Sequence, residues 1–447
     1  MKERIAFVAM FILVLTMTFS LTSSKSVNFA EAQKIPNHYI IVLKDSVADP
    51  VAVAKDIGSK HGLGLGFIYS HALKGFSAEI PDAVLDKVKN DNRVSYVEQD
   101  QVVQAFAVSP QVSQNSNGNV KGSGSSVTQP AQKLPTGVDR IDADLSPTAK
   151  IDRLDERVNV NIAIIDTGID LSHPDLNAVN GKTCVPGTKN ANDDNGHGTH
   201  VAGIAGAIDN GIGVVGVAPG ANLYAVKVLN KQGSGFTSWV ICGIDWVTAN
   251  ASTLGITVAN MSLGGSGSDD GNCGLTNQDA MHQAICKSVK AGVVYTVAAG
   301  NSHVDASTQV PAAYDEVITV SAIADSDGKC GGKGSATSYG SDDSFASFSN
   351  FGADVNFAAP GVNILSTYKG QSYATLSGTS MASPHVAGAA ALYIANHLGS
   401  TPDQVKSGLL STALPPFLSC DGNGNGHGGY AEISGRAGGP LIYVAAS

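Results

Sequence analysis

At 447 residues the chain is long enough for two or three domains. Its 15% of charged residues and net charge of −10 exclude the basic surface that nucleic-acid binding needs. No run after the N-terminal one is long and apolar enough to span a bilayer, so no stable membrane anchor is expected.

The elements read in chain order as follows. Lys2 and Arg4 precede an apolar run over residues 5–15, too short for a membrane span and suited to a secretory signal. Residues 1–32 are assigned to it, with Ala30 and Ala32 as cleavage candidates. Residues 36–106 read as a small α+β unit: strands at 38–43, 66–70, 75–80 and 94–97, and helices at 50–61 and 81–90. The stretch 107–130 is rich in Gln, Ser, Asn and Gly and cannot bury a core.

Residues 131–447 form the fourth and largest part. Buried-type strands at 159–165, 222–229, 257–261, 293–298 and 317–321 alternate with helical patterns. That alternation predicts an α/β fold, a parallel sheet covered by helices on both faces. The apolar run 160–165 ends in Asp166-Thr167-Gly168, placing a carboxylate at the carboxyl end of a strand, where open α/β sheets build their sites. Asn195-Gly196-His197-Gly198-Thr199-His200 opens a close-packed helix and offers His197 as a base. A further strand runs into Gly300-Asn301, a side-chain amide at a strand end. Gly378-Thr379-Ser380 then opens a small-residue helix, setting Ser380 where unsatisfied N–H groups favour developing negative charge.

Each of these residues alone reads as a cap or loop anchor. Asp, His and Ser in this order, with an amide besides, point to acyl transfer by an activated serine. A GxSxG hydrolase elbow is excluded because Ala382 stands where its second glycine belongs. His197 and His200 share a helix face, yet no adjacent HExxH glutamate or Cys/His partner completes a zinc site. Asp170, His173, His200 and His385 are assigned to local hydrogen bonding. Six cysteines, none before residue 184, suit an oxidising compartment. Cys273 and Cys286 flank one short segment and form the leading candidate bridge. Cys184, Cys330 and Cys420 lie in Gly-rich loops, and Cys242 fits a buried free thiol as well as a bridge, so the connectivity is open.

The ordered segments IIDTGIDLSHPDL, NGHGTHVAG, GVVGVAPGANLYAVKVL, NMSLGG, VAAGN, APG and GTSMASPHVAG resemble the subtilisin-type serine endopeptidases, the subtilases of peptidase family S8. The resemblance covers most of residues 131–447. It implies the subtilisin-like fold, with Asp166, His197 and Ser380 as the triad and Asn301 as oxyanion donor. The 36–106 unit is similar to the inhibitor I9-type propeptide of that family, of ferredoxin-like fold, which acts as intramolecular inhibitor and folding chaperone. Its tail puts Phe106 where the family accepts the cleaved bond, implying self-cleavage between Phe106 and Ala107; the 107–130 linker departs from the family pattern and leaves room for a second trimming cut.

The family's two peptide-pairing edges correspond to Ser234-Gly235 and Ser262-Leu263-Gly264, with Gly300 beside the first pocket. No carboxylate sits in these segments, so a hydrophobic or broadly tolerant pocket is expected. The family's calcium loop implies a structural Ca2+ held by Gln132, Asp175 and Asn210, with carbonyls of Ile208, Ile212 and Val214. The expected protein is therefore a secreted, monomeric endopeptidase acting on proteins or peptides and made as a zymogen. The competing reading is a catalytically silent binding or adhesion module on the same scaffold.

Overall fold

The structure, a computed structural model, describes residues 33–106, 128–420, 428–432 and 437–445. The expected signal segment, Ala107 and most of the linker lie outside the described residues. Among the described residues no helix is long and apolar enough to cross a membrane.

The first unit follows from period-two alternation. It comprises β1 (Lys34–Leu43), α1 (Pro50–His61), β2 (Gly64–Tyr69), β3 (Gly75–Glu79), α2 (Asp82–Lys89) and β4 (Val94–Ala105). The four strands form an antiparallel sheet in the order β4-β1-β3-β2. Ile41 and Leu43 join Phe76 and Ala78 against Ala54 and Ile57 of α1 and Val88 of α2. Ile40, Val42 and Tyr69, on the opposite face, belong to the core of the larger unit. Helix α1 starts on Asp49, whose side chain accepts from the Ala52 amide at 2.9 Å, with Pro50 at its first position.

The larger unit runs through α3 (Thr136–Arg140), β5 (Asn161–Asp166), β6 (Ala178–Thr183), α4 (His197–Gly206), β7 (Asn222–Lys227) and β8 (Ser234–Phe236). It continues through α5 (Thr237–Asn250), β9 (Ile256–Met261), β10 (Leu263–Ser266), α6 (Ala280–Lys290), β11 (Val294–Ala298) and β12 (Gln309–Val310). The remainder is β13 (Ile318–Ala324), β14 (Ser344–Phe345), β15 (Val355–Pro360), β16 (Ile364–Tyr368), β17 (Ser372–Leu376), α7 (Thr379–Asn396) and α8 (Pro402–Thr412). Strands pair in parallel in the order β15-β13-β11-β9-β5-β7-β6, and β14 joins the end of β13 antiparallel.

Helices cover both faces, as the strand–helix alternation predicts. Ile162 and Ile164 of β5 pack with Val201, Ala202 and Ala205 of α4 and Val386 and Ala390 of α7. Ala163 and Ile165 pack with Val240 and Ile244 of α5 and Met281 and Ile285 of α6. The chain reverses direction across the sheet at β5, which has β7 on one side and β9 on the other. That switch point is where a doubly wound sheet leaves a crevice at its carboxyl ends, and Asp166 ends β5 there.

Three expectations are corrected. Strand β4 continues to Ala105, well past residue 97, because the larger unit supplies strand partners for its tail. Strands β6 and β15 add to the five strands expected; the first is polar (AVNGKT) and the second ends in Pro360, so neither looks like a buried run. Cys242 is no free thiol: the disulfides are Cys184–Cys242, Cys273–Cys286 and Cys330–Cys420. Packing of α5 over the sheet brings Cys242 within 6.1 Å of Cys184, Cα to Cα.

Candidate active site

The site is assembled at the carboxyl ends of β5, β9 and β11 and at the start of α4 and α7. His197 Nδ1 lies 2.8 Å from Asp166 Oδ1, and both side chains are buried. Gly198 makes the approach possible: a Cβ there would meet the Gly168 carbonyl at 2.2 Å and Asp166 at 3.1 Å. Burial by itself lowers the His197 pKa, but the Asp166 charge and hydrogen bond outweigh it and the net shift is upward. Asp193, which sequence reasoning missed, organises the turn before α4. It accepts from Thr167 Oγ1, from the amides of Asn195, Gly196 and Thr199, and from Thr199 Oγ1.

Ser380 is buried at the second position of α7. Its Oγ donates to the Ser262 carbonyl at 3.1 Å, while His197 Nε2 makes no hydrogen bond. The hydroxyl is thus turned to Ser262 in this state of the chain.

The tail of β4 lies between β8 and β10 as an added antiparallel strand. Val103 pairs with Gly235 and Gln104 with Ser234; on the other side Ala105 pairs with Leu263 and Gln104 with Gly264. The Ala105 amide donates to the Gly233 carbonyl at 2.9 Å and the Phe106 amide to the Ser262 carbonyl at 3.2 Å. Main-chain pairing of this kind reads backbone before side chains. The Phe106 ring stands over Gly264, where a Cβ would come within 2.6 Å of it. Val103 is buried, and Gln104 points out to solvent.

Asn301 Nδ2 donates to the Phe106 carbonyl at 2.8 Å. Its own Oδ1 accepts from the Thr379 amide at 2.9 Å and from Thr379 Oγ1 at 2.8 Å. Thr379 Oγ1 in turn accepts from the Gly300 amide at 3.1 Å. Thr379 therefore fixes which way the Asn301 amide faces, a role its position beside Ser380 could have suggested.

The histidines set aside in the sequence do find local partners. His200 Nε2 lies 3.0 Å from the carbonyls of Ile364 and Ala374, which turns it away from His197. His173 meets the Ser372 carbonyl and His385 that of Met381. Asp170 accepts from the Gly370 and Gln371 amides and from Ser172.

In the expected calcium loop, Asp175 Oδ1 is buried with no hydrogen-bond partner, whereas Oδ2 accepts from the Val214 amide. Burial pushes this carboxyl up to about 7. An orphaned buried carboxylate oxygen among loop carbonyls fits a hard cation. Gln132 fits less well, because its Oε1 already accepts from the amides of Asn210 and Gly211 at 3.0 and 2.8 Å. Asn210 Oδ1 accepts from the Ile212 amide at 3.1 Å, and the Ile208 amide donates to the Asp175 carbonyl.

The propeptide-like unit reaches two further helix starts. Asp100 accepts from the amide and hydroxyl of Ser238 on α5, and Glu98 from the Ala280 amide at the start of α6. Asp245 of α5 returns the contact by accepting from the amides of Ser70, His71 and Ala72.

A buried Asp–His pair, a helix-start serine and an amide donor on the Phe106 carbonyl are the parts of a serine-hydrolase type of site. Comparison with known proteins agrees. The Subtilase family model matches residues 157–438, and the Peptidase inhibitor I9 model matches residues 38–106. Subtilisin E of Bacillus subtilis (strain 168) is 36% identical over 408 residues, 90% of this chain and 91% of its own length. Subtilisin DY of Bacillus licheniformis is 44% identical over 286 residues, 63% of this chain and 92% of its own. A crystal structure of a cold adapted subtilisin-like serine proteinase aligns with a TM-score of 0.52 at 35% identity, covering 70% of this chain and 98% of that one. The chain belongs to the subtilase family. It is a serine endopeptidase preceded by an I9-type propeptide.

Proposed function

We propose that the chain is a secreted endopeptidase made as a self-cleaving zymogen, with Asp166, His197 and Ser380 as its triad. Ser380 Oγ attacks the scissile carbonyl and passes its proton to His197, which later delivers it to the leaving amine. Asp166 holds the imidazole tautomer and stabilises the imidazolium. Asn301 Nδ2 donates to the developing oxyanion, together with the Ser380 amide left unpaired at the helix start. The first bond cut is Phe106–Ala107.

The observation that carries this reading is the 2.8 Å bond from Asn301 Nδ2 to the Phe106 carbonyl, made while the preceding residues pair between β8 and β10. A tail bound in this manner blocks the cleft for as long as it stays paired there, which is the basis for assigning inhibition to the propeptide. The space over Gly264 holds the Phe106 ring, so aromatic and other large apolar residues are the favoured substrates at this pocket. A calcium ion in the loop at Asp175, held with Asn210 and the carbonyls of Ile208, Ile212 and Val214, would offset the buried carboxylate there and so stabilise the fold.

N-terminal sequencing of the processed protein tests the cut: a start at Ala107, or at a trimmed site up to residue 135, is expected. A start before Val97 or after Pro135 rejects it. The Ser380→Ala chain should remain uncut and hydrolyse nothing. For calcium, chelation should lower the melting temperature; an unchanged melt argues against the loop site.

A further inference from the structure

Lys227 ends β7 opposite Asp166, the last residue of β5. Its side chain is fully buried. A buried ammonium is costly unless its donors are met, and here all three are. Nζ donates to the Thr167 carbonyl at 2.6 Å, to Asp194 Oδ1 at 2.7 Å and to the Leu229 carbonyl at 3.0 Å. The one carboxylate that answers the charge, Asp194, is itself partly exposed. An apolar side chain would fill the same space without the desolvation cost, so the charge has a reason beyond packing.

Its acceptors lie on the segments that meet in the triad. The Thr167 amide donates to Asp166 Oδ1 at 2.6 Å, and the same oxygen lies 2.8 Å from His197 Nδ1. Asp166 Oδ2 is buried without a hydrogen bond, so Thr167 and His197 between them orient the carboxylate. The Thr167 hydroxyl accepts from the Gly198 amide and donates to Asp193, while its carbonyl is the one held by Lys227. Asp194 sits in the turn three residues before His197. The Val228 and Leu229 amides complete the clasp by donating to the Asp166 carbonyl at 2.8 and 3.1 Å. The ammonium thus ties the end of β5 to the turn that opens α4, and the spacing of those two segments sets the Asp166–His197 hydrogen bond.

We propose that Lys227 is a positioning residue for proteolysis, holding Thr167 and Asp194 so that the Asp166 carboxylate meets His197 in line. The proposal rests on the triad reading above. Lys227 touches neither the substrate nor the reacting atoms; it acts through Thr167 on Asp166 and through Asp194 on His197. Loosening that pair slows proton transfer from Ser380 without changing how a peptide pairs at the cleft edges. Strand β8 keeps its own anchor in the paired Asn230 and Ser234, so the loss falls on kcat.

The test compares Lys227→Met, Asp194→Ala and Asp166→Asn with the wild type. Each chain is processed by a tagged trace of wild-type enzyme that is then removed, and active sites are counted by fluorophosphonate titration. Lys227→Met should lower kcat by about 10–100-fold with KM within about twofold, and Asp194→Ala should lower kcat in the same direction. In chains carrying Ser380→Ala, the low-field proton resonance of His197 Nδ1–H should move when Lys227→Met is added. Native kcat in Lys227→Met with only a lower melting temperature overturns the proposal, as does an unmoved resonance. Should Lys227→Met fail to fold, Asp194→Ala, on the partly exposed turn, decides by the same two readouts. Near-native turnover in Asp166→Asn removes the triad assignment and this proposal with it. A loss there beside native turnover in Lys227→Met overturns the proposal alone.

Discussion

Ser262 and Ser380 hold each other at two points. Ser262 Oγ donates to the Ser380 carbonyl at 2.9 Å, and Ser380 Oγ donates to the Ser262 carbonyl at 3.1 Å. The first bond has a covalent cause: Pro384, four residues on, lacks the N–H that would otherwise satisfy the Ser380 carbonyl. Ser262 is kept in register by Asn260, whose amide donates to its Oγ at 3.0 Å while Asn260 Oδ1 accepts from Ser383 at 2.8 Å. Replacing Ser262 by alanine leaves a buried carbonyl unpaired. A loss of about 1–3 kcal/mol of stability is expected, read as a lower melting temperature of the inhibitor-blocked enzyme.

The amide of Asn301 faces the Phe106 carbonyl because Thr379 holds its oxygen. Asn301→Ala should lower turnover by about 10²–10³ with little change in KM, a magnitude taken from subtilisin itself. Thr379→Val, which keeps the shape but removes the hydroxyl, should lower kcat by about tenfold; Thr379→Ser should restore most of it. Near-native turnover in Asn301→Ala would remove the oxyanion assignment.

The upward shift of His197 sets the acid side of the pH profile. Below its pKa the imidazolium cannot accept the Ser380 proton, so kcat/KM should fall as pH drops through a value above that of an ordinary histidine. Asp166→Asn removes the main upward cause. Its acid limb should move to lower pH while kcat falls by about 10⁴. An acid limb that stays in place would detach the shift from Asp166.

Glu98 gives propeptide binding a pH dependence of definite sign. Burial, with the Asp279 charge adding to it, raises its pKa in the complex to about 8. A carboxyl raised on binding takes up a proton when the complex forms, so its contribution is present at low pH and is lost as pH rises towards 8. Inhibition by added propeptide should weaken across that window, and Glu98→Gln should flatten the dependence. Inhibition constants measured from pH 5 to pH 9 decide it.

The contact of Phe106 with Gly264 bears on specificity. A side chain at Gly264 enters the space of the aromatic ring. Gly264→Ala should cut kcat/KM for peptides with phenylalanine at the cleaved position by about tenfold or more, while peptides with alanine there change little. Equal losses on both peptides would indicate a backbone effect rather than a pocket effect.

Much of this arrangement is legible in the linear sequence, for local reasons. The buried runs of β5, β7, β9, β11 and β13 are apolar on both faces because helices cover both, and such runs are visible without a fold. Asp166, His197, Asn301 and Ser380 each sit at the end of a strand or the start of a helix, where short-range patterns mark them. The strand to Ala105 could not be read beyond residue 97, because its hydrogen-bond partners lie in β8 and β10, more than a hundred residues away. Polar β6 and the Cys184–Cys242 bridge escaped for the same reason: neighbours distant in the chain decide them.

By itself, then, the sequence determined the parallel sheet, the family and the side chains that meet at its carboxyl ends, because periodicity and end signals are local. Only the tertiary structure decided how Thr379 aims Asn301, how Ser262 answers Pro384, and how Lys227 comes to join Thr167 to Asp194. Those relationships depend on hydrogen bonds between segments that only packing brings together.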